Sequence, residues 1–251
     1  MSKNSTVIEF ENVSITFTMG HGQAVLRNYI TGWFGMQQSE RFYALKGISF
    51  RLQKGESMGI VGSNGAGKST PLSLVSGIVV PDAGRVIVNG RVASLLELGA
   101  GFHPDLIGAE NVRLNASLLG ISRQRMNDVF SPIVEFSGVG GFIHEPLRTY
   151  SAGRQMRLAF SVAIQMDPDI LVVDEMLAVG DQDFQSKCYD RIRNLRRAGK
   201  TLLFVSHSAS AVQALCDPAL WIDHGELVLD ERAIDSIEAY KGRLPSRTKL
   251  N

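Results

Sequence analysis

The sequence has few of the features that mark secreted, metal-binding or membrane-spanning proteins. Its only cysteines are Cys188 and Cys216, whose spacing matches no zinc site or disulfide framework, and this usage indicates a reducing compartment. No run approaches the roughly 18–20 apolar residues that a membrane helix needs. Residues 1–13 contain no apolar signal core. We therefore expect a protein that is not itself exported and that reaches a membrane only through a partner.

The sequence also lacks an excess of charge. Its 26 lysines and arginines are balanced by 25 aspartates and glutamates, which gives a net charge of +1. Because nucleic-acid-binding domains usually carry excess positive charge, the composition predicts no nucleic-acid partner. The basic run at residues 191–200 is interpreted as the solvated face of a helix. A length of 251 residues with 44% apolar residues predicts one sizeable domain, or a core with an inserted subdomain.

Two stretches near the N-terminus have the pattern of half-buried strands. Residues 7–18 and 45–56 alternate apolar and polar side chains, which predicts antiparallel strands. Between them, the segment 25–44 carries apolar residues near one helical face. Two interpretations of this segment are open. It is either a short helix near a membrane-facing surface, or a connecting loop with a few anchors in the core.

The rest of the chain has the pattern of a parallel sheet covered by helices. Residues 57–62, 169–175 and 201–207 are short apolar runs of the kind found in buried parallel strands. The pattern is helical from about 105 to 165, and residues 219–230 predict a strand pair. We therefore predict an α/β domain with a mainly parallel sheet, an N-terminal antiparallel β-subdomain and an inserted α-helical subdomain. The domain would span residues 1–245, followed by a short tail at 246–251.

A complete phosphate-binding pattern follows the first buried strand. The residues are Gly62, Ser63, Asn64, Gly65, Ala66, Gly67, Lys68, Ser69 and Thr70. The first eight match G-x-x-x-x-G-K-[ST], the Walker A motif or P-loop. Glycines there let backbone N–H groups surround an oxyanion, and the N-terminus of the following helix adds positive charge. Lys68 is predicted to contact the β- and γ-phosphates of ATP, and the Ser69 hydroxyl to bind Mg²⁺.

Pro71 is unusual in the first turn of such a helix. If Gly67 caps the helix, Pro71 is about its fourth residue, where backbone N–H groups have no helical partner. The donors expected to meet phosphate belong to residues 65–70, and Pro71 removes none of them. Proline does disfavour helical angles at the residue before it, which is Thr70. We therefore predict a competent site that Pro71 weakens slightly.

A pair of acidic residues ends a second buried strand. Asp174 and Glu175 follow four apolar residues, and ligands of open α/β sheets bind at the carboxyl ends of strands. An aspartate in this position can hold Mg²⁺, and the next carboxylate can orient and deprotonate a water molecule. We predict Asp174 as a metal ligand and Glu175 as the catalytic base.

A third motif lies about twenty residues before the acidic pair. Tyr150-Ser151-Ala152-Gly153-Arg154 opens an amphipathic helix, and its hydroxyl, its glycine N–H groups and the helix terminus form a second anion site. At these residues the sequence resembles the ATP-binding cassette (ABC) ATPases, whose signature usually reads Leu-Ser-Gly-Gly-Gln. The resemblance extends from residue 7 to about 240 and implies a P-loop NTPase fold of the ABC type.

The resemblance implies roles for further residues. In ABC proteins two protomers enclose two ATP molecules, each bound by one protomer's phosphate loop and the other's signature, here Ser151 and Gly153. Residues 177–181 occupy the loop that contacts the partner, and His207 occupies the position of the histidine that senses the γ-phosphate. Glu97 stands where most relatives have a metal-sensing glutamine. Phe17 aligns best with the aromatic that stacks on adenine, and Tyr43 is the alternative.

A narrower likeness concerns transport. Residues 95–112, residues 174–188 and the insertion before residue 42 resemble ATPase subunits of bacterial exporters of O-antigen, teichoic acid and related lipid-linked glycans. The likeness implies a homodimer bound to two integral membrane permease subunits at the cytoplasmic face of the inner membrane. The permease would handle most of the glycan, and the helical insertion would transmit ATP-driven motion to it.

Several departures and alternatives stay open. Ala152 and Arg154 replace a glycine and a glutamine of the signature, and Ile107 and Ala109 stand where exporter relatives often have threonine and arginine. The alternatives are the ATPase of an importer or of a non-glycan exporter, a soluble ABC protein, and a cassette that binds ATP without hydrolysis. The presence of both Glu175 and His207 argues against the last of these.

Overall fold

The computed structural model describes residues 5–18, 41–96, 98–165, 167–174, 180–206, 208–231, 237–238 and 240. Its first sheet has three antiparallel strands, β1 (Thr6–Thr18), β2 (Arg41–Gln53) and β4 (Ala83–Val88), in the order β2-β1-β4. The β1–β2 register shifts at several points, and such bulges bend a strand and increase its twist. Buried side chains of both long strands pack in one core with residues of the second sheet.

The second sheet is mainly parallel and has the order β5-β6-β7-β3-β8-β9. Its strands are β3 (Ser57–Val61), β5 (Val92–Ser94), β6 (Ile170–Val173), β7 (Thr201–Val205), β8 (Ala219–Asp223) and β9 (Glu226–Glu231). β3 lies between β7 and β8, parallel to both, and β9 pairs antiparallel with β8. All residues of β3, β6 and β7 are buried, as strands covered on both faces require.

Six α-helices lie wholly within the described residues. They are α1 (Ser69–Val75), α2 (Gly108–Leu118), α3 (Arg123–Ser137), α4 (Ala152–Gln165), α5 (Gln182–Arg197) and α6 (Ala209–Leu215). The Ser122 hydroxyl accepts a hydrogen bond from the Arg125 N–H at the start of α3, and left-handed Gly138 ends that helix. Helices α2, α3 and α4 share a separate apolar cluster that contains Val112, Ile133 and Leu158.

The larger sheet separates two apolar cores. On one face Ile60, Val172 and Leu203 pack with the antiparallel sheet and α1. On the other face Leu171 and Phe204 pack with residues of α4, α5 and α6. Alternating side chains of one strand point to opposite faces, so each buried strand contributes to both cores. This arrangement fixes the carboxyl ends of β3 and β6 at one sheet edge.

The α/β fold with a mainly parallel sheet, an antiparallel N-terminal sheet and an inserted helical region is confirmed. The structure corrects one boundary, because residues 41–44 of the segment 25–44 begin strand β2. Residues 25–40 lie outside the described residues, so neither interpretation of that segment is tested. Residues 85–98 contain parts of two short strands separated by a turn, since Gly90 takes a positive φ of 137°.

Candidate functional site

The phosphate loop occupies the turn between β3 and α1. The loop's approach to β2 is close, because a Cβ atom added to Gly67, whose φ is 97°, would lie 2.2 Å from the Ala44 carbonyl oxygen. Only glycine fits this position. The Ala66 N–H donates to the Ser63 carbonyl over 3.1 Å, and the Thr70 N–H donates to the Gly67 carbonyl over 3.1 Å. The loop is thus a compact turn held against the antiparallel sheet.

The Lys68 side chain closes the loop on itself. Lys68 is only 7% exposed, and its Nζ donates to the Ser63 carbonyl oxygen over 2.8 Å. Burial lowers the pKa of this ammonium group, and the attraction of Asp174 opposes that shift. A buried cation gains by meeting an anion. The ammonium group can therefore donate to a phosphate oxygen in place of the Ser63 carbonyl oxygen.

The Ser69 hydroxyl connects the phosphate loop to the acidic strand. Its Oγ donates to Oδ2 of Asp174, directly after β6, over 3.2 Å. Burial raises the pKa of Asp174, while the Ser69 hydrogen bond and the Lys68 charge act in the opposite direction. A hydroxyl and a carboxylate oxygen side by side are the hard oxygen donors that Mg²⁺ prefers. Within the described residues there is no group of three or more histidine, cysteine or acidic side chains that could hold a metal alone.

Three predicted site residues, Glu97, Glu175 and His207, lie outside the described residues. Their positions along the chain follow described elements. Glu175 comes directly after Asp174, and His207 follows strand β7 and buried Ser206. The assigned roles of these three residues therefore stay predictions.

The structure defines where Pro71 lies in the phosphate-loop helix. Helix α1 begins at Ser69, which makes Pro71 its third residue, while Lys68 before it already has helical angles (φ −56°, ψ −41°) and Gly67 has a positive φ of 97°. The side chain of Pro71 is buried, and Thr70 stays within the helix. A third-position N–H has no partner inside a helix, so Pro71 removes no hydrogen bond from α1.

The turn between β8 and β9 holds the phosphate loop in place. Gly225, between β8 and β9, donates its N–H to the Ala66 carbonyl over 3.0 Å and accepts from the Lys46 N–H over 2.7 Å. Its φ is 79°, and a Cβ atom there would lie 2.9 Å from the Ala44 carbonyl oxygen. The strand pair predicted at residues 219–230 is therefore present, but its contact with the phosphate loop was not predicted.

The signature residues lie at the start of α4, beside a cavity of about 770 Å³. Tyr150 is buried, and its hydroxyl donates to the Phe142 carbonyl over 2.5 Å. Ser151 is exposed, and its Oγ accepts from the Arg154 N–H over 3.4 Å. Ser151, Gly153 and Arg154 line the cavity, and the described phosphate-loop residues do not. Within one chain the two predicted anion sites are therefore separate.

The same cavity is bordered by the loop that follows the acidic pair. The Arg157 guanidinium forms an ion pair with Asp181 and lies 5.1 Å from the centre of the Phe184 ring. Asp181 also caps α5 by accepting from the Phe184 N–H over 3.0 Å, and this backbone hydrogen bond is the main cause of its lowered pKa. The end of the predicted partner-contacting loop, at Gly180 and Asp181, is thus anchored to the signature helix.

A second site feature missed by the sequence is an asparagine clamp. Asn111 is 0% exposed, accepts from the His103 N–H over 2.7 Å and donates to the carbonyls of His103, Leu106 and Ile107. Asn115 donates to the Ala100 carbonyl over 2.7 Å. These bonds hold the chain after Glu97 against α2. The sequence placed Asn111 beside Glu110 but gave no sign that its side chain is buried.

The two candidates for adenine stacking lie in one strand pair. Phe17 is 39% exposed, and its ring centre lies 6.0 Å from that of Phe42. Tyr43 is 55% exposed and pairs with Thr16 in the β1–β2 register. Tyr43 is next to Ala44, whose carbonyl faces Gly67. Both aromatic side chains are therefore accessible, and Tyr43 lies beside the residue that contacts the phosphate loop.

The chain matches the model of one protein family, described as ABC transporter, over residues 45–178, which is more than half of its length. The O-antigen export system ATP-binding protein RfbB of Klebsiella pneumoniae is 46% identical over 239 residues, covering 94% of this chain and 97% of the relative. The teichoic acids export ATP-binding protein TagH of Listeria monocytogenes is 40% identical over 229 residues, covering 90% of this chain and 67% of the relative.

Solved structures agree on the fold. A dimeric ATP-binding cassette in a post-hydrolysis state, bound to ADP and Pi, is 20% identical, with a TM-score of 0.71 over 90% of this chain and 98% of that chain. An ATP-binding subunit of an ABC transporter is 19% identical, with a TM-score of 0.74 over 96% of this chain and 95% of that chain. None of the described helices is long and apolar enough to span a bilayer.

Proposed function

This chain belongs to the ABC transporter family, and on that premise we propose that it is the ATP-hydrolysing subunit of an exporter for a polysaccharide or lipid-linked glycan of the O-antigen or teichoic acid type. Two relatives that match nearly all of this chain are named for O-antigen export and teichoic acid export. Their names support the substrate class.

One observation carries the ATPase assignment, the hydrogen bond between Ser69 and Asp174. It joins the end of the phosphate loop to the end of the acidic strand, so the two proposed Mg²⁺ ligands lie side by side next to the proposed phosphate site. Buried Lys68 adds a cation to the same region. Phosphoryl transfer depends mainly on positioning and charge stabilisation, and these three side chains supply both.

The oxygen donors of Ser69 and Asp174 fit Mg²⁺, which would neutralise charge on the phosphates when bound. The remaining chemistry falls to this chain's own groups. Backbone N–H groups of residues 65–70 bind the phosphate oxygens. The Glu175 carboxylate accepts a proton from the attacking water, and His207 contacts the γ-phosphate.

We propose that the active form is a homodimer in which the signature of one copy completes the ATP site of the other. The separation of the two anion sites within one chain supports this arrangement, since Ser151 lines a cavity that the chain's own phosphate loop does not reach. ATP binding would close the dimer, and hydrolysis would reopen it.

The transport partners would be two integral membrane permease subunits that handle most of the glycan, with this chain at the cytoplasmic face of the inner membrane. Helices α2 and α3 and the loop clamped by Asn111 would transmit the motion. We propose that residues 25–40 dock or gate at the membrane-facing surface. Deleting residues 27–40 should abolish glycan export and leave ATP hydrolysis nearly intact, and unaffected export would contradict this role.

The test of the proposed function is Glu175→Gln. We expect this variant to lose ATP hydrolysis, to form an ATP-dependent dimer visible by light scattering, and to fail to restore surface glycan in a strain that lacks the chain. The matched control is Glu238→Gln, an exposed carboxylate outside the helical region, which should behave like the wild type. Hydrolysis by Glu175→Gln at the wild-type rate would refute the role of Glu175, and normal surface glycan in the deletion strain would refute the substrate class.

A further inference from the structure

The signature cavity contains two arginines with different surroundings. Arg157 is neutralised by its ion pair with Asp181. Arg154 has no carboxylate partner among the described residues, although it also lines the cavity. An arginine is always charged. The positive charge of this cavity is therefore carried by Arg154.

Phe142 fixes the position of the Arg154 guanidinium. The Arg154 Cζ atom lies 3.8 Å from the centre of the Phe142 ring, a close cation–π contact. The ring is itself held in place, because Tyr150 packs edge-on against it at 6.5 Å and donates its hydroxyl proton to the Phe142 carbonyl. The ring covers one face of the planar guanidinium, so the N–H groups at its edge can meet an oxyanion in the cavity.

Arg154 does not stabilise the helix that contains it. It is the third residue of α4, and the first turn of that helix contains no acidic residue. A cation in the first turn opposes the helix dipole, which favours anions there. The positive charge and the helix terminus therefore act in the same direction, and both attract an anion to the mouth of the cavity.

We infer that Arg154 binds the terminal phosphates of the ATP held by the phosphate loop of a second copy of this chain, and that Phe142 is its positioning residue. The inference rests on the proposed homodimer. It gives Arg154, which replaces the usual signature glutamine, a specific role in which a charged, bidentate donor strengthens the ATP-dependent contact between the two copies. The Ser151 hydroxyl and the Gly153 N–H bind the same phosphate group.

The experiment compares Arg154→Gln with its parent, both in the Glu175→Gln background. We expect Arg154→Gln to raise the ATP concentration for half-maximal dimerisation at least about tenfold, the loss expected for a charged hydrogen bond. Dimerisation of the variant should also depend less on salt concentration, because the cation–phosphate contact at each of the two ATP sites is gone. The melting temperature of the nucleotide-free protein should stay within about 2 °C, as for other surface substitutions.

Two further variants separate binding from folding. Phe142→Leu should also raise the ATP concentration needed for half-maximal dimerisation. Phe142→Tyr, which keeps an aromatic ring, should dimerise like the parent. When Arg154→Gln is already present, adding Phe142→Leu should weaken dimerisation little further. The control is Arg148→Gln, which removes an equal charge from an exposed pair with Asp105 outside the cavity, and it should leave dimerisation unchanged.

The outcomes distinguish this inference from the proposed function. If Glu175→Gln alone forms no ATP-dependent dimer, the proposed dimer fails. If that dimer forms and Arg154→Gln forms it at the same ATP concentration and with the same salt dependence, the role of Arg154 is refuted. A melting temperature lowered by more than about 5 °C, together with unchanged ATP dependence, would assign Arg154 to structure alone.

Discussion

The Ser69 hydroxyl donates a hydrogen bond to the Asp174 carboxylate over 3.2 Å, although 105 positions of sequence separate the two residues. The bond spans from the first residue of α1 to the residue directly after β6. Together with the bond from Lys68 to the Ser63 carbonyl, it connects the phosphate loop to the acidic strand. This arrangement buries a carboxylate, which raises the pKa of Asp174.

We predict that Asp174→Asn stabilises the nucleotide-free protein while abolishing Mg²⁺-dependent hydrolysis. Because the pKa is raised, the native state binds the Asp174 proton more tightly than the unfolded state does, whose value is about 3.8. The free energy of unfolding therefore falls as the pH rises from about 3.8 through the raised native pKa, because Asp174 becomes charged. Above that pKa the loss stays constant. The melting temperature of Asp174→Asn, measured in EDTA, should exceed the wild-type value at pH 7 and approach it at pH 4.

The control for this prediction lies at the other end of the same strand. The Arg91 N–H donates to Asp169, just before β6, and this hydrogen bond lowers the Asp169 pKa. A lowered pKa has the opposite effect on stability. Charged Asp169 stabilises the native state above about pH 3.8, and this stabilisation disappears as the pH falls through the native pKa. Asp169→Asn should therefore lower the melting temperature at pH 7. A lower melting temperature for Asp174→Asn at pH 7 would contradict the cost assigned to burial.

Most of the fold could be predicted from the sequence because its signals are local. The apolar runs of β3, β6 and β7 and the glycine-rich loop before α1 each predict a structure within a few residues. The contacts that hold the site are not local. The turn at Gly225 contacts the phosphate loop only because β8 lies beside β3. The order of strands in a sheet cannot be predicted from any single segment of the sequence.

The helical region shows the same limit. Its periodicity predicts helices between about 105 and 165, and three are present there. An asparagine in such a pattern is normally exposed, so nothing in the sequence indicates that Asn111 is buried and makes four hydrogen bonds. The cation–π contact between Arg154 and Phe142 is likewise a product of tertiary packing.

Gly225→Ala should damage the phosphate loop. A Cβ atom there would lie 2.9 Å from the Ala44 carbonyl oxygen, and the residue's φ of 79° already disfavours alanine. We expect a loss of about 2–4 kcal/mol in the free energy of unfolding and weaker ATP binding, measured by urea denaturation and calorimetry. Gly199→Ala is the control, because Gly199 has a φ of 78° and no atom near its added Cβ. That variant should lose only about 1–2 kcal/mol and bind ATP normally, and equal losses in the two variants would show that the contact with β2 is unimportant.

Phe17→Ala should weaken ATP binding about tenfold, the magnitude of a lost base–aromatic stack, without affecting the binding of inorganic triphosphate. Phe17 pairs with Phe42 and Thr16 with Tyr43 in the β1–β2 register. Neighbouring residues of a strand face opposite sides, so Phe17 and Tyr43 are not expected to stack on the same base. Tyr43→Ala is therefore the comparison, and calorimetry with both ligands measures the difference. Selective loss of ATP binding in Tyr43→Ala alone would transfer the stacking role to Tyr43.

Pro71→Leu should raise stability or ATP affinity only modestly. Pro71 is the third residue of α1, where its missing N–H has no helical partner, so the change removes only the restriction that proline places on Thr70. We expect a gain of at most about 1 kcal/mol in the free energy of unfolding, measured by urea denaturation, with ATP affinity measured by calorimetry.

Pro132 provides the matched control, because it lies well inside α3 and is exposed. There a proline removes an internal hydrogen bond and clashes with the carbonyl four residues earlier. Pro132→Ala should therefore gain more, about 1–3 kcal/mol, and leave ATP affinity unchanged. This result would show that the destabilisation caused by a proline depends on its position within the helix. A clear loss of stability or ATP affinity in Pro71→Leu would show instead that the phosphate loop depends on the buried proline ring.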